Sequence, residues 1–343
     1  MDFGLDKKHE MARTLFKEFA ENEVKPLAQE VDETEVFPRA TVEKMAKYGF
    51  LGIPVPKEYE GQGCDPLTYV MCVEELAKVC ATTSVIVSAH TSLCIDPILT
   101  YGTPEQKAKY VPDLASGRKL GAFGLTEPGA GTDAQGQQTK AVLDGDEWVL
   151  NGSKCFITNG GIASFYCVTA MTDKTKGVKG MSMFFVEKGT PGLSTGKEEN
   201  KMGIRTSNTC DVVLEDVRIP ASNLIGEEGR GFNIAMQTLD QARTWMGCVA
   251  TGIAQRGINE AIAYGKERVQ FGKPIIKNQA LKFKVADMEI KTETARQMVA
   301  HALTKMDLGL PYTKESAIAK CYASDIAMEV ASEAIQMFGG YGY

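Results

Sequence analysis

The chain has 343 residues, 43% hydrophobic and 24% charged, with a formal net charge of −6. That length accommodates two or three domains with substantial cores, and the acidic balance argues against general nucleic-acid binding. Three histidines with no HExxH or Cys/His cluster argue against a metal site, and nine cysteines without a CxxC pair indicate reduced, mostly buried thiols.

The opening stretch "MDFGLDKKHEMARTLFKEFAENEV" carries acids early and lacks a long apolar core. It reads neither as a signal peptide nor as an Arg-rich transit sequence. No window approaches the ~20 apolar residues that a membrane span requires, so a cytoplasmic protein without membrane contact is expected. Helical periodicity dominates residues 1–120. "MARTLFKEFAENEV" predicts Met11, Leu15, Phe19 and Val24 on one face, and a later helix begins with Thr103 as N-cap and Pro104 at the first helical position.

Near Gly121 the texture changes. "TKAVLDGDEWVLNGSKCFITN" alternates apolar and polar residues around Asp144-Gly145, a hairpin signal, and strand-like runs continue through "CDVVLEDVRIP". Residues 121–230 read as a β domain, a small barrel or sandwich. From Gly231 the pattern turns to long, alanine-rich amphipathic helices. One runs from Phe232 to Phe271, one ends at Gly309, and one runs from Thr313 to the Gly339-Gly340 stop. Short connections between such helices predict a bundle over 231–343. The expected class is α+β multidomain: a helical amino-terminal domain (1–120), a central β domain (121–230) and a carboxy-terminal helical bundle (231–343), the last incomplete.

The chemistry concentrates in "GAFGLTEPGAGTDAQGQQT", residues 121–139. Small residues there let main-chain groups approach a flat ring or a phosphate, although the same composition also suits a Gly/Pro linker. The chain contains no GxGxxG and no GxxxxGK[ST], which disfavours a Rossmann dinucleotide site or a P-loop.

Six motifs, "FGLTEPGAGTD", "NGSKCFITNG", "KMGIRTSNT", "GEEGRGFNIAM", "ERVQFGKPI" and "IQMFGGYGY", occur in one order along essentially the whole chain. In this they resemble the acyl-CoA dehydrogenases, with the flavour of the short-chain, butyryl-CoA-type branch. The resemblance implies FAD bound along Phe123, Gly124, Leu125, Thr126, Glu127, Pro128, Gly129, Ala130, Gly131 and Thr132, with the Thr126 hydroxyl and main-chain groups on the flavin's polar edge. It implies that Phe156, Ile157 and Thr158 cover the ring, Phe156 standing where many relatives carry tryptophan. Arg268, Phe271 and Gln279 match positions that reach the nucleotide half of FAD from a neighbouring subunit, and Gln336, Met337, Phe338, Gly339 and Gly340 match a loop that contacts the same nucleotide. A homotetramer is thereby implied.

The resemblance further places a short-chain acyl-CoA or enoyl-CoA against Thr132, Asp240, Gln241, Ala242 and Arg243, with electrons exchanged with an electron-transferring flavoprotein. Plainer readings stand beside these roles. Arg268 is equally an i,i+4 partner of Tyr264 or a solvated charge, Gln279 a turn cap, Arg243 a partner for Asp240, and Trp245 a core-packing residue.

Abstracting the α-proton of a thioester needs a base within hydrogen-bond reach and donors on the developing enolate oxygen. The resemblance puts that carboxylate at one of two places: at Ala242, which cannot titrate, or downstream of the GGYGY-like loop, past Tyr343. Asp240 is offset by two and lies on a different helix face. No catalytic residue is therefore assigned in 1–343, and no dehydrogenase turnover is expected of these residues alone. Three readings stay open: a piece of an ordinary short-chain enzyme, a member with base-independent chemistry on CoA thioesters, or a non-catalytic acyl-CoA or flavin-binding protein.

Overall fold

The structure is a computed structural model that describes residues 5–343. In chain order the helices are α1 (Lys7–Phe19), α2 (Lys25–Thr34), α3 (Arg39–Lys47), α4 (Pro66–Ala77), α5 (Ala81–Ser88), α6 (Asp96–Tyr101), α7 (Pro104–Ala115), α8 (Gly231–Glu267), α9 (Gln279–Asp307) and α10 (Thr313–Phe338). The strands are β1 (Gly121–Gly124), β2 (Lys140–Asp144), β3 (Glu147–Thr158), β4 (Phe165–Met171), β5 (Met181–Glu187), β6 (Leu193–Glu198), β7 (Thr209–Pro220), β8 (Leu224–Ile225), β9 (Val269–Gln270) and β10 (Lys273–Pro274). Two compact units form, each drawing on more than one stretch of sequence. The first takes 5–29, Pro66–Val85 and Arg243–Tyr343; the second takes Glu30–Asp65 and Ile86–Ala242.

The first unit is helical. Its core seam joins Ala250, Ala254, Ile258 and Ala261 of α8 to Met288 and Ala295 of α9 and to Ala323, Ile326, Val330 and Ala334 of α10. Alanines at three- and four-residue spacing let these helices approach closely, which is why the sequence reads as a bundle. Trp245 is 2% exposed and meets Tyr69 of α4 edge-on, with ring centroids 5.2 Å apart, so its place is core packing.

Two expectations for this unit are corrected. On α1 the buried face is Phe16 and Phe19, continued by Ala20 and Val24, whereas Met11 and Leu15 are exposed. A π-helical turn over Ala20–Val24 lets Phe19 and Val24, five residues apart, share a face, and the stripe centres on Phe16 rather than on Leu15. The long third-block helix does not reach Phe271. It ends at Glu267, and β9 and β10 form a tight hairpin with Phe271 (φ 53°) and Gly272 (φ 72°) at its tip. Two consecutive left-handed residues make a turn that propensity alone would not assign to phenylalanine.

The second unit is built on a mixed sheet in the order β6-β7-β3-β2-β4-β5-β8, with β1 parallel to β4. Strand β4 is buried along its whole length because both faces are covered. Phe165 and Cys167 pack with Ile98 of α6 and with Tyr110, Val111 and Leu114 of α7. Tyr166 and Val168 pack the other way, against Trp148 and Leu150 of β3 and Val212 and Leu214 of β7. The Asp144-Gly145 hairpin forms as expected, pairing Asp144 with Glu147 around Gly145 at φ 67°. The α7 cap is a full capping box, Thr103 accepting from Gln106 N while Gln106 reaches back to Thr103 N.

One buried imidazole ties helix to sheet. His90 Nδ1 accepts from Gly121 N and Nε2 donates to Leu114 O, both at 3.0 Å. Burial drives its pKa down to about 4, although the Leu114 hydrogen bond pulls the other way, so the ring is neutral. No described helix is long and apolar enough to cross a membrane.

Candidate active site

In the second unit β1 leads directly into the glycine-rich segment. As the chain leaves the sheet, Leu125 O accepts from Lys154 Nζ (3.2 Å) and Gln137 Nε2 (3.3 Å), and Thr126 O accepts from Cys155 N (2.9 Å). Glu127 and Ala130 then exchange both main-chain hydrogen bonds, at 3.1 and 3.0 Å, which folds Pro128 and Gly129 into a tight turn. A Cβ added at Gly129 or Gly131 would meet nothing within 4 Å, so the main chain here borders open space.

The segment rests on a buried ion pair. Lys154 is 0% exposed and donates to Glu127 Oε1 at 2.8 Å, to Gln137 Oε1 at 3.1 Å and to Thr169 Oγ1 at 3.4 Å, besides Leu125 O. The Glu127 carboxylate also accepts from Gln138 N (2.6 Å) and Thr139 N (3.1 Å). Burial lowers the Lys154 ammonium to about 8 against the raising pull of Glu127, so it stays charged at neutral pH. Burial would raise the Glu127 carboxyl, but the Lys154 charge and the hydrogen bonds outweigh it and hold Glu127 below its ordinary value.

Beside this lies Phe156. The β3–β7 register slips between Lys154 and Ile157, and the bulge leaves Phe156 at φ 59° with 63% of its surface exposed. Ile157 turns into the core and Thr158 is half-buried. A left-handed backbone under an exposed ring is costly twice over, in strain and in lost burial, and such strain clusters at ligand sites. The Thr126 and Thr158 side chains are half-buried and Thr132 is exposed; all three hydroxyls stand outside the network around Lys154. An uncovered aromatic face, accessible main chain and these hydroxyls form a donor and stacking set that fits a flavin.

Asp240, Gln241 and Ala242 lie on the first turns of α8, also in the second unit, with Ala242 only 7% exposed. The Gln241 carboxamide, with its nitrogen toward α6, donates to both oxygens of Asp96 at 3.1 and 3.2 Å. Asp96 follows a π-helical segment (Ala89–Ile95), and burial raises its carboxyl to about 7 while the Gln241 hydrogen bond lowers it. Neither Asp96 nor Lys154 was expected as a site residue. The available signals were a lone acid inside the apolar run "LCIDPIL" and a lysine inside the strand "KCFIT".

The remaining site residues lie in the first unit. Arg243 is half-buried on α8. The Arg268 guanidinium stands 5.6 Å over the Tyr341 ring, and Phe338 stacks on Tyr264 at 4.5 Å and 21°, so Arg268 and the chain end come together. The expected 336–340 loop is mostly helix: Gln336, Met337 and Phe338 complete α10, Met337 is buried, and only Gly339 and Gly340 belong to the turn beyond it. Phe271, 94% exposed, projects at its hairpin, and Gln279 is the first residue of α9 after Asn278.

Family models for the acyl-CoA dehydrogenase N-terminal, middle and C-terminal domains match residues 6–118, 122–217 and 229–343. A short-chain specific acyl-CoA dehydrogenase of Clostridium acetobutylicum is 55% identical over 343 residues, which are 100% of this chain and 90% of the relative. The solved butyryl-CoA dehydrogenase of Megasphaera elsdenii superimposes with a TM-score of 0.98 at 48% identity, covering 100% of this chain and 91% of that one. A chain in a structure concerning the electron transferring flavoprotein of Acidaminococcus fermentans and flavin-based electron bifurcation does so with a TM-score of 0.98 at 51% identity, covering 100% and 90%. With domain models spanning nearly its whole length and these identities, the chain belongs to the acyl-CoA dehydrogenase family.

Proposed function

We propose that the protein carries out FAD-dependent α,β-dehydrogenation of a short-chain acyl-CoA, or the reverse reduction of the enoyl-CoA, exchanging electrons with an electron-transferring flavoprotein. The observation that carries this reading is the Phe123–Thr132 segment: open main chain held on the Glu127–Lys154 pair beside the exposed ring of Phe156. When bound, FAD supplies the hydride acceptor. Phe123 to Thr132 present main-chain groups and the Thr126 hydroxyl to its polar edge, and Phe156 offers a stacking face. Arg268, with Phe271, Gln279, Gly339 and Gly340, serves the nucleotide of a neighbouring copy in a homotetramer, and a cytoplasmic location suits this role.

Asp240 to Arg243 and Thr132 orient the thioester. Ala242 has no titratable group, so proton removal at the α-carbon is not the work of this helix position. No residue among the 343 is assigned as the base, and these residues alone are read as binding the thioester without abstracting its proton. The test is to take the intact mass of the protein, mix it anaerobically with butyryl-CoA and follow the visible flavin absorbance. Flavin retained without bleaching at the 343-residue mass supports the reading. Prompt bleaching at that mass overturns the assignment of the base, and a protein that takes up no flavin overturns the cofactor assignment.

A further inference from the structure

On α8, Gln237 and Gln241 stand one turn apart on the side that faces α6, and Arg230 lies just before the helix begins. Gln241 holds Asp96, Gln237 is hydrogen-bonded to the Tyr101 hydroxyl, and Arg230 is exposed. The result is a polar file running from solvent toward Asp96, next to the apolar cluster that contains Ile95 and Ile98. Asp96 is desolvated by the protein around it yet keeps some accessible surface. Its carboxylate oxygens share one side-chain donor, the Gln241 amide nitrogen. A carboxylate accommodates about four donors, so lone pairs remain for another partner.

We propose that Asp96, oriented by Gln241, is a specificity-determining residue of the acyl site and accepts a hydrogen bond from a donor group on the chain of a short acyl thioester. The inference rests on the reading that places the thioester beside Asp240 to Arg243. An apolar wall at this point would favour plain alkyl chains. A desolvated carboxylate with open acceptor capacity instead penalises an alkyl group that offers it no hydrogen, and gains when a hydroxyl or an ammonium does. A site that hydrogen-bonds its substrate discriminates by leaving its own buried acceptor unpaired with the wrong one.

The experiment is isothermal titration calorimetry of the FAD-loaded protein with butyryl-CoA, 3- and 4-hydroxybutyryl-CoA and β-alanyl-CoA, on the native chain and on D96N and D96L. At least one donor-bearing ester is expected to bind about tenfold or more tightly than butyryl-CoA. D96L abolishes that preference. D96N, which keeps an acceptor oxygen but no charge, retains it for a hydroxyl and loses it for an ammonium. Equal affinities across the esters in the native protein, or a preference that survives in D96L, overturn the proposal. Failure of every ester, butyryl-CoA included, to bind folded FAD-loaded protein overturns instead the acyl-CoA reading beneath it.

Discussion

Lys154 Nζ sits 2.8 Å from Glu127 Oε1 with both side chains out of solvent, and this pair fixes the turn that carries the glycine-rich segment. Removing one partner leaves a buried charge uncompensated, whereas removing both charges leaves only polar groups to satisfy. Lys154→Met is therefore expected to cost about 3–5 kcal/mol. The double variant Glu127→Gln, Lys154→Met should recover a large part of that. Denaturant unfolding at neutral pH measures both, and a double variant as unstable as Lys154→Met would show that the pair's charge is not what stabilises the turn.

Phe156 presents the opposite balance, a residue whose geometry opposes stability. Its φ of 59° belongs to glycine, and its ring is 63% exposed. Phe156→Gly is expected to stabilise the flavin-free protein by about 1 kcal/mol, the usual cost of a left-handed non-glycine residue. The same change should weaken flavin binding, because the stacking face is gone. Thermal unfolding without flavin and a flavin titration by fluorescence quenching give the two signs separately. A variant that loses stability without flavin would mean that the ring packs against protein rather than waiting for a ligand.

The α7 cap separates two kinds of hydrogen bond. Thr103→Ala removes one N-cap acceptor, for about 1 kcal/mol. Gln106 also donates to Ser222 O (2.7 Å) and Leu224 O (2.8 Å), joining the helix start to the β8 region. Gln106→Ala is expected to cost roughly twice as much, since it leaves two carbonyls without that donor. Differential scanning calorimetry of the two variants decides the order, and equal losses would reduce Gln106 to its capping role.

Sequence pattern resolved the features that local chemistry dictates. The Thr103 cap, the Asp144-Gly145 turn and the alanine seams of α8 and α10 all follow from neighbours within a few positions. It failed where the backbone departs from regular geometry. The π turn after Phe19 displaced the α1 stripe, and a left-handed Phe271 made a hairpin out of an expected helix end. Among site residues, the main-chain segment 123–132 was readable because glycine, proline and threonine announce themselves. Lys154 and Glu127 are 27 positions apart, and Asp96 and Gln241 lie on separate helices, so only the fold pairs them.

Two buried groups of the second unit, His90 and Asp96, make opposing contributions to stability over the same acidic range. His90 is depressed from 6.5 to about 4, so between those values the unfolded chain binds a proton that the folded protein refuses. Stability from His90 is therefore present above pH 6.5 and lost as pH falls toward 4, by about 3 kcal/mol in all. Asp96 is raised from 3.8 to about 7, so the folded protein keeps a proton that the unfolded chain has released. Its contribution runs the other way: present below 3.8 and lost as pH rises toward 7. Where the windows overlap the two slopes offset each other. Asp96→Asn should then steepen the loss of stability on acidification relative to the native protein, and His90→Gln should flatten it. Denaturant midpoints for the three proteins across this range test the signs directly. Parallel curves for Asp96→Asn and the native protein would mean that Asp96 titrates in the fold as it does in the unfolded chain.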